Sequence, residues 1–266
     1  MGLVKVERRG GAAVMTYANP PLGTMTAAGA QEMLDAFRPL SADPAVRSVI
    51  ITGGLPDIFI RHYDVGELSD MSDATKDAPP PPPPIEPAGR PKQGFLALVD
   101  EIFEAPKPVV AAINGLCMGG GFELSLACDL RIASPNVAAI GLPETRVGIF
   151  PGGGGTQRLP RVVGEAKALE IILRGLTFDG AEAYRIGLVH ELADDLMARA
   201  LAIAAEWENR GADGIAYAKR LTRAALDRPI WEGLADERRS FGAVMRTASA
   251  REGLRQGRPP ASIQSL

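Results

Sequence analysis

Two glycine-rich turns, each with one glutamate close by, constrain this chain more than any other feature. The first lies between Gly115 and Asp129 and holds Gly119-Gly120-Gly121 followed by Glu123; the second lies between Gly141 and Pro160 and holds Glu144 followed by Gly152 to Gly155. Val109 to Ile113 before the first turn is a short apolar run of strand type, and Glu123 to Cys128 after it reads as the start of a helix. The triple glycine therefore sits at a strand-to-helix switch. Residues without Cβ admit close approach of a ligand, and the first N–H groups of a helix have no partner inside it, so they point outward as donors with partial positive charge. An oxyanion is stabilised at such a place, and two carboxylates beside it suit chemistry on a carbonyl. The run Gly152 to Gly155 lacks the Lys-Ser/Thr ending of a phosphate loop and opens no dinucleotide fingerprint, so it reads as a tight turn entering a helix.

Around these turns the chain divides into three stretches. Residues 1–69 alternate strands (Leu3 to Val6, Ala12 to Tyr17, Val46 to Thr52) with a helix capped near Thr26, whose Ala30, Met33, Leu34 and Phe37 share one face; this is an α/β pattern. From Asp70 to Gln93 the proline run Pro79 to Pro84, with Pro87 and Pro91, predicts an extended loop and no helix or central strand. A helix over Gly94 to Glu104 follows, with Phe95, Leu98, Val99 and Ile102 on its buried face. Beyond Gly155 helices are predicted near Glu165 to Arg174, Gly180 to Ile186, Asp194 to Arg210, Gly214 to Leu226, Ile230 to Met245 and Ala250 to Leu254. Asp179 with Glu182 and Ser249 with Glu252 have capping-box spacing, and Asp213 is placed to cap the helix that follows it.

Composition excludes several classes. A net charge of -3 lacks the basic face of a nucleic-acid binder, though it leaves room for a multiply phosphorylated ligand held by local Arg, Lys and helix N-termini. No apolar run approaches bilayer length, and Met1 to Gly11 lacks the apolar core of a signal peptide, so the expectation is a cytoplasmic protein with no membrane partner. Cys117 and Cys128, the only cysteines, read as small buried thiols rather than a disulfide or a metal site. No metal is expected.

Two runs resemble the enoyl-CoA hydratase/isomerase (crotonase) family: Ile113-Asn114-Gly115 with Gly119-Gly120-Gly121-Phe122-Glu123-Leu124, and Pro143-Glu144 with Pro151-Gly152 and Gly155-Thr156-Gln157-Arg158-Leu159. Weaker echoes at Val46 to Gly53 and Ala183 to Val189 extend the likeness over most of the chain. The resemblance implies a crotonase-like α/β fold: a repeated ββα core over residues 1–195 carrying an acyl-CoA site, and a C-terminal helical region over 196–266 that builds a homotrimer or homohexamer. It implies coenzyme A as part of the substrate, with no separate cofactor, and a place in fatty acid metabolism. One oxyanion-hole amide falls on Gly120. The other falls on Tyr63, because Phe59-Ile60-Arg61-His62-Tyr63-Asp64 stands where the family has Phe, two small residues, Gly, Ala and Asp. Gly119, Gly152 and His62 would contact substrate. His62 replaces a glycine there, and Gly66 stands where a lysine is frequent.

Glu123 and Glu144 match the acid pair of the hydratases, which implies that Glu123 activates water and Glu144 protonates the α-carbon of a 2-enoyl-CoA thioester. Taken singly, each glutamate has an ordinary reading, Glu123 as a helix-dipole partner and Glu144 as a solvated turn residue. His62 reads either as a loop histidine or as a pocket acid, base or donor, and Arg61 as an exposed loop residue or a phosphate contact. His190 belongs at a surface strand end. Isomerase, hydrolase or carbon–carbon lyase chemistry uses the same enolate hole, and a non-catalytic binding module is the remaining alternative. Isomerases of the family lose the acid at the Glu123 position, which favours hydration.

Overall fold

A computed structural model describes residues 2–79 and 90–257. The chain runs β1 (Val4–Arg9), β2 (Ala12–Tyr17), α1 (Ala27–Ala42), β3 (Ser48–Gly53), β4 (Ile58–Ile60), α2 (Val65–Thr75), α3 (Gly94–Glu104), β5 (Val109–Ile113), β6 (Leu116–Met118), α4 (Gly120–Ala127), β7 (Leu130–Ala133) and β8 (Ile140–Gly141). A 3-10 turn over Glu144–Val147 leads to α5 (Gly155–Val163), α6 (Glu165–Arg174), β9 (Thr177–Phe178), α7 (Gly180–Arg185), β10 (Glu191–Leu192), α8 (Leu196–Glu208), α9 (Ala212–Ala224), α10 (Ile230–Val244) and α11 (Ala248–Gln256).

The repeat is visible in the sheets. β3, β5 and β7 each enter a larger sheet of order β1-β2-β3-β5-β7-β10, and the strands that follow them, β4, β6 and β8, enter a smaller sheet of order β4-β6-β8-β9. The larger sheet is parallel from β2 to β10, and only β1 runs antiparallel. Parallel strands are buried on both faces, and successive side chains alternate between them. Ala13, Met15, Val49, Ile51, Val109 and Ala111 join Met33, Leu34 and Phe37 of α1 and Leu98, Val99 and Ile102 of α3 in one core. Val14, Ile50, Val110, Ala112 and Ile132 point the other way, against Leu196, Ala200, Ile203 and Ala204 of α8. The spacing of those four residues forms a single helical stripe. Thus α8, although beyond residue 195, packs directly on the core sheet.

The last three helices are docked by charge more than by apolar burial. Lys219 of α9 reaches Asp129 Oδ2 at 2.7 Å and Arg223 reaches Asp129 Oδ1 at 2.8 Å. Asp236 of α10 is buried and accepts from Arg220, Arg228, Arg239 and Ser240, which hold its carboxyl far below the usual range. Among the described residues no helix is long and apolar enough to cross a membrane. Cys117 and Cys128 are free and buried, and burial pushes the Cys128 thiol up to about 12.

Several sequence expectations are corrected. The stretch from Asp70 to Gln93 is not wholly loop: α2 continues to Thr75, because Asp64 caps it through Glu67 N and the helix ends before the prolines begin. The run from Pro80 to Pro84, and Pro87, lie outside the described residues. α9 starts one residue before Asp213, with Gly211 as its cap residue, and the Asp213 carboxylate accepts from Ser249 Oγ instead. α11 is capped by Thr247 through Ala250 N, so Ser249 lies inside it. Asp179 does cap α7 through Glu182 N, but Glu182 turns to Arg185 rather than completing the box. Thr26 caps α1 through Gly29 N as the sequence predicts.

Candidate active site

The two glycine turns and the Phe59 to Asp64 loop meet around one cavity of about 650 Å³, lined among others by His62, Tyr63, Phe95, Gly119, Gly120, Glu123, Glu144, Gly152 and Gly153. Backbone conformation at Gly119 and close neighbours at Gly120 and Gly121 explain the triple glycine. Gly119 adopts φ +51°, a left-handed conformation that favours glycine. A Cβ on Gly120 would lie 3.2 Å from Tyr63 Cβ and 3.4 Å from Tyr63 N, and one on Gly121 would strike Ile60 O at 2.0 Å. The first turn of α4 is thereby seated on β4 and on the loop that follows it. Asn114 ties the same region to β3: its Oδ1 accepts from Gly53 N at 3.0 Å and its Nδ2 donates to Leu55 O at 3.1 Å.

This seating puts two free donors side by side. Gly120 N–H opens α4, and neither it nor Tyr63 N–H has an acceptor among the described residues. The peptide groups flanking Tyr63 are fixed by Met25, whose N–H donates to His62 O at 2.8 Å and whose O accepts from Asp64 N at 2.7 Å. The His62 imidazole adds a third tie, with Nδ1 2.7 Å from Tyr63 O. A carbonyl only accepts, so the proton sits on Nδ1. The His62 ring, on the cavity wall, thus helps to hold the turn that carries Tyr63 N–H.

The two glutamates differ in their surroundings. Glu123 is 4% exposed, and its Oε1 accepts from Gly153 N at 2.7 Å and Gly155 N at 2.8 Å. The second glycine turn therefore wraps the carboxylate of the first. Burial raises the Glu123 pKa, while those two amides and the Arg158 guanidinium oppose the rise. Glu144 has both carboxylate oxygens buried with no hydrogen-bond partner in the protein, and burial, with the Glu123 charge adding to it, pushes its pKa up to about 7. A Cβ on Gly119 would sit 3.4 Å from Glu144 Oε1 and 3.5 Å from His62 Cβ, so hole, histidine and acid share one wall. Glu144 is thus not a solvated turn residue, while Glu123 does stand in the first turn of α4 and is enclosed there as well.

Two participants escaped the sequence reading. Phe95, expected in the core face of α3, is only half buried and lines the cavity, while Ala97 takes a core place in that helix. Its ring meets Tyr63 edge-on at 5.6 Å between centroids. Arg158 holds the second turn: Nη1 donates to Gly153 O at 2.9 Å and Nη2 pairs with Asp100 Oδ1 at 2.9 Å. Its motif position was visible, but its target on another helix was not. Gly152 reaches the cavity wall, whereas its neighbours Gly153 and Gly155 supply the useful amides. Arg61 lies outside the cavity lining, and His190 is an exposed residue just before β10 whose Nδ1 accepts from Arg131 N. A larger cavity of about 890 Å³ lies under α9, but its cations are engaged, Arg131 by the Leu188, Ser125 and Cys128 carbonyls and Lys219 and Arg223 by Asp129.

Two free amides facing a pair of unlike buried carboxylates, on a repeated ββα core, are the build of an enzyme that polarises a carbonyl while moving protons beside it. Residues 7–257 match the enoyl-CoA hydratase/isomerase family, and the chain belongs to that family as a hydratase-like enzyme. It is 34% identical over 257 residues to a probable enoyl-CoA hydratase, echA8, of Mycobacterium tuberculosis, covering 94% of this chain and 93% of that one. The human mitochondrial methylglutaconyl-CoA hydratase is 35% identical over 230 residues, covering 83% of this chain and 64% of the human protein's length. Among solved structures, the enoyl-CoA hydratase of Bacillus anthracis superposes with a TM-score of 0.82 at 28% identity, covering 95% of each chain. DspI of Pseudomonas aeruginosa gives 0.82 at 29% identity, over 96% of this chain and 93% of that one.

Proposed function

We propose that the protein adds water across the double bond of a 2-enoyl-CoA thioester, with Glu123 as base and Glu144 as acid. The observation that carries this division is the asymmetry of the pair. Glu123 accepts two backbone N–H bonds that favour its ionised form, and Glu144 accepts none in its buried place. A proton shared between them therefore resides on Glu144. Glu123 takes a proton from water as the hydroxide oxygen bonds to the β-carbon, and the double-bond electrons move onto the thioester oxygen. Gly120 N–H and Tyr63 N–H hold that charge. Glu144 then delivers its proton to the α-carbon as the enolate collapses. Water is consumed, and the proton gained by Glu123 and lost by Glu144 re-equilibrates between them on product release. His62, Gly119 and Gly152 form the wall against the acyl group in this reading, and coenzyme A enters only as part of the substrate.

Turnover in 18O-labelled water tests the reaction type. Hydration gives a product heavier by one labelled water, with the label in the new hydroxyl. A product of unchanged mass would make the protein an isomerase, free coenzyme A thiol a hydrolase, and a shorter acyl-CoA thioester with a released carbonyl fragment a carbon–carbon lyase; any of these would contradict the proposal.

The same reading includes a homotrimer or homohexamer built through the C-terminal helices. Its support is the apolar surface they leave open: Leu226, Ile230, Trp231 and Phe241 are each more than 60% exposed in the single chain.

A further inference from the structure

Six large apolar side chains stand open to solvent around the mouth of the catalytic cavity: Val65 and Met71 of α2, Leu96 of α3, and Val147, Ile149 and Phe150 after Glu144. Their exposures run from 46% for Ile149 to 68% for Phe150, and they come from three separate segments of the fold. Singly exposed apolar residues need no explanation, but a convergent set lining one cavity does. The cavity is continuous with the reaction centre, because Glu123, Glu144, Gly119 and Gly120 line it as well. Phe95 extends the apolar wall inward: its Cζ lies 3.4 Å from where a Gly120 Cβ would stand, and its Cε1 2.7 Å from where a Gly153 Cβ would stand.

We infer that the acyl group of the substrate is large and apolar, carrying a medium or long hydrocarbon chain or a ring beyond the reacting carbons and no distal charge. The inference rests on the thioester reading of the site and names its substrate class. An acyl group of four carbons ends beside the glutamates and leaves the outer wall wet, whereas a longer one covers it. A distal carboxylate would need a cation in this wall. Arg146 is the only arginine or lysine among the described lining residues, and its side chain packs over Gly175, where an added Cβ would meet its Cγ at 2.9 Å and its Nε at 3.4 Å. His62, the other basic side chain in the lining, has its Nδ1 bonded to Tyr63 O.

The test is affinity along a series of saturated acyl-CoA thioesters from butanoyl to dodecanoyl, measured as competitive inhibition or calorimetric binding to the whole chain, beside a dicarboxylic acyl-CoA of matched length. Burial of each methylene is worth about 0.8 kcal/mol, so affinity should rise up to about fourfold per methylene over the first several carbons, and the dicarboxylic thioester should bind at least tenfold more weakly than its neutral match. Leu96→Asp and Met71→Asp should flatten the slope; both side chains are exposed, and a ratio of affinities within one variant does not depend on the amount of folded protein. Equal affinity from butanoyl to dodecanoyl would overturn the inference. So would an intact slope in both variants, and a change of oligomeric state in them without a change of slope would assign the patch to contact with a second copy. A slope without hydration would count against the hydratase reading alone, and hydration without a slope against this inference alone.

Discussion

Glu144 carries the largest electrostatic liability in the site, and its consequences are measurable at the level of one residue. Its raised pKa means that the folded protein binds the proton more tightly than the unfolded chain does. The associated stability is fully present below about 4.5 and is lost as pH rises through about 7. Glu144→Gln should therefore stabilise the protein at pH 8 by roughly 1–3 kcal/mol in urea unfolding, with little change at pH 4. The same proton is needed for catalysis, so kcat/KM should fall as pH rises through about 7 in the wild type. A flat profile from pH 6 to 9 would remove Glu144 as the acid. The glutamates and Gly120 were legible in the sequence because glycine turns and acids at family spacing are local signals. The tie from His62 Nδ1 to Tyr63 O was not, since a ring bonding back to the next carbonyl leaves no pattern.

Among the elements, the second glycine turn does more than enter a helix, because it wraps the Glu123 carboxylate and is itself held by Arg158. Arg158→Leu removes the bond to Gly153 O and the pair with Asp100, and with them the stacking of the guanidinium 4.9 Å from the Phe103 ring centroid. Misplacing the turn should lower kcat by about 10- to 100-fold, with a stability loss of about 1–3 kcal/mol seen as a lower Tm. A lower Tm with unchanged kcat would confine Arg158 to folding. Periodicity found the long elements well, and the bounds of α3 fall where the sequence places them, at Gly94 and Glu104. It failed for β8 and β9, two residues each, which are too short for any alternation to register. It put Phe95 on the packed face of α3, where the ring is half buried against the core, but position in a helical stripe does not tell that the same ring also lines a cavity. The caps at Asp213 and Ser249 failed for a related reason: the side chains bond to each other across two helices, and a local spacing rule sees only one.

For the whole molecule, the repeat of large-sheet strand, small-sheet strand and helix brings segments far apart in sequence around one cavity, and that convergence was legible only through family resemblance. The docking of α9 was not legible at all. It depends on Asp129, which serves Lys219, Arg223 and the Val109 N–H together. Asp129→Ala leaves Lys219, 9% exposed, without an anion, and should cost about 2–4 kcal/mol and raise hydrogen exchange across α9 ahead of the core sheet. Uniform exchange in the variant would show that α9 does not depend on this anchor. The central claim concerns the joint action of the two acids, and it is tested most directly by the loss of conjugated-thioester ultraviolet absorbance when the protein meets a 2-enoyl-CoA, with Glu123→Gln and Glu144→Gln run beside the wild type. The account predicts rapid loss with the wild type and a fall of at least about 100-fold in each variant, both remaining folded and able to bind saturated acyl-CoA. Full hydration by either variant, or none by the wild type on any chain length, would contradict it.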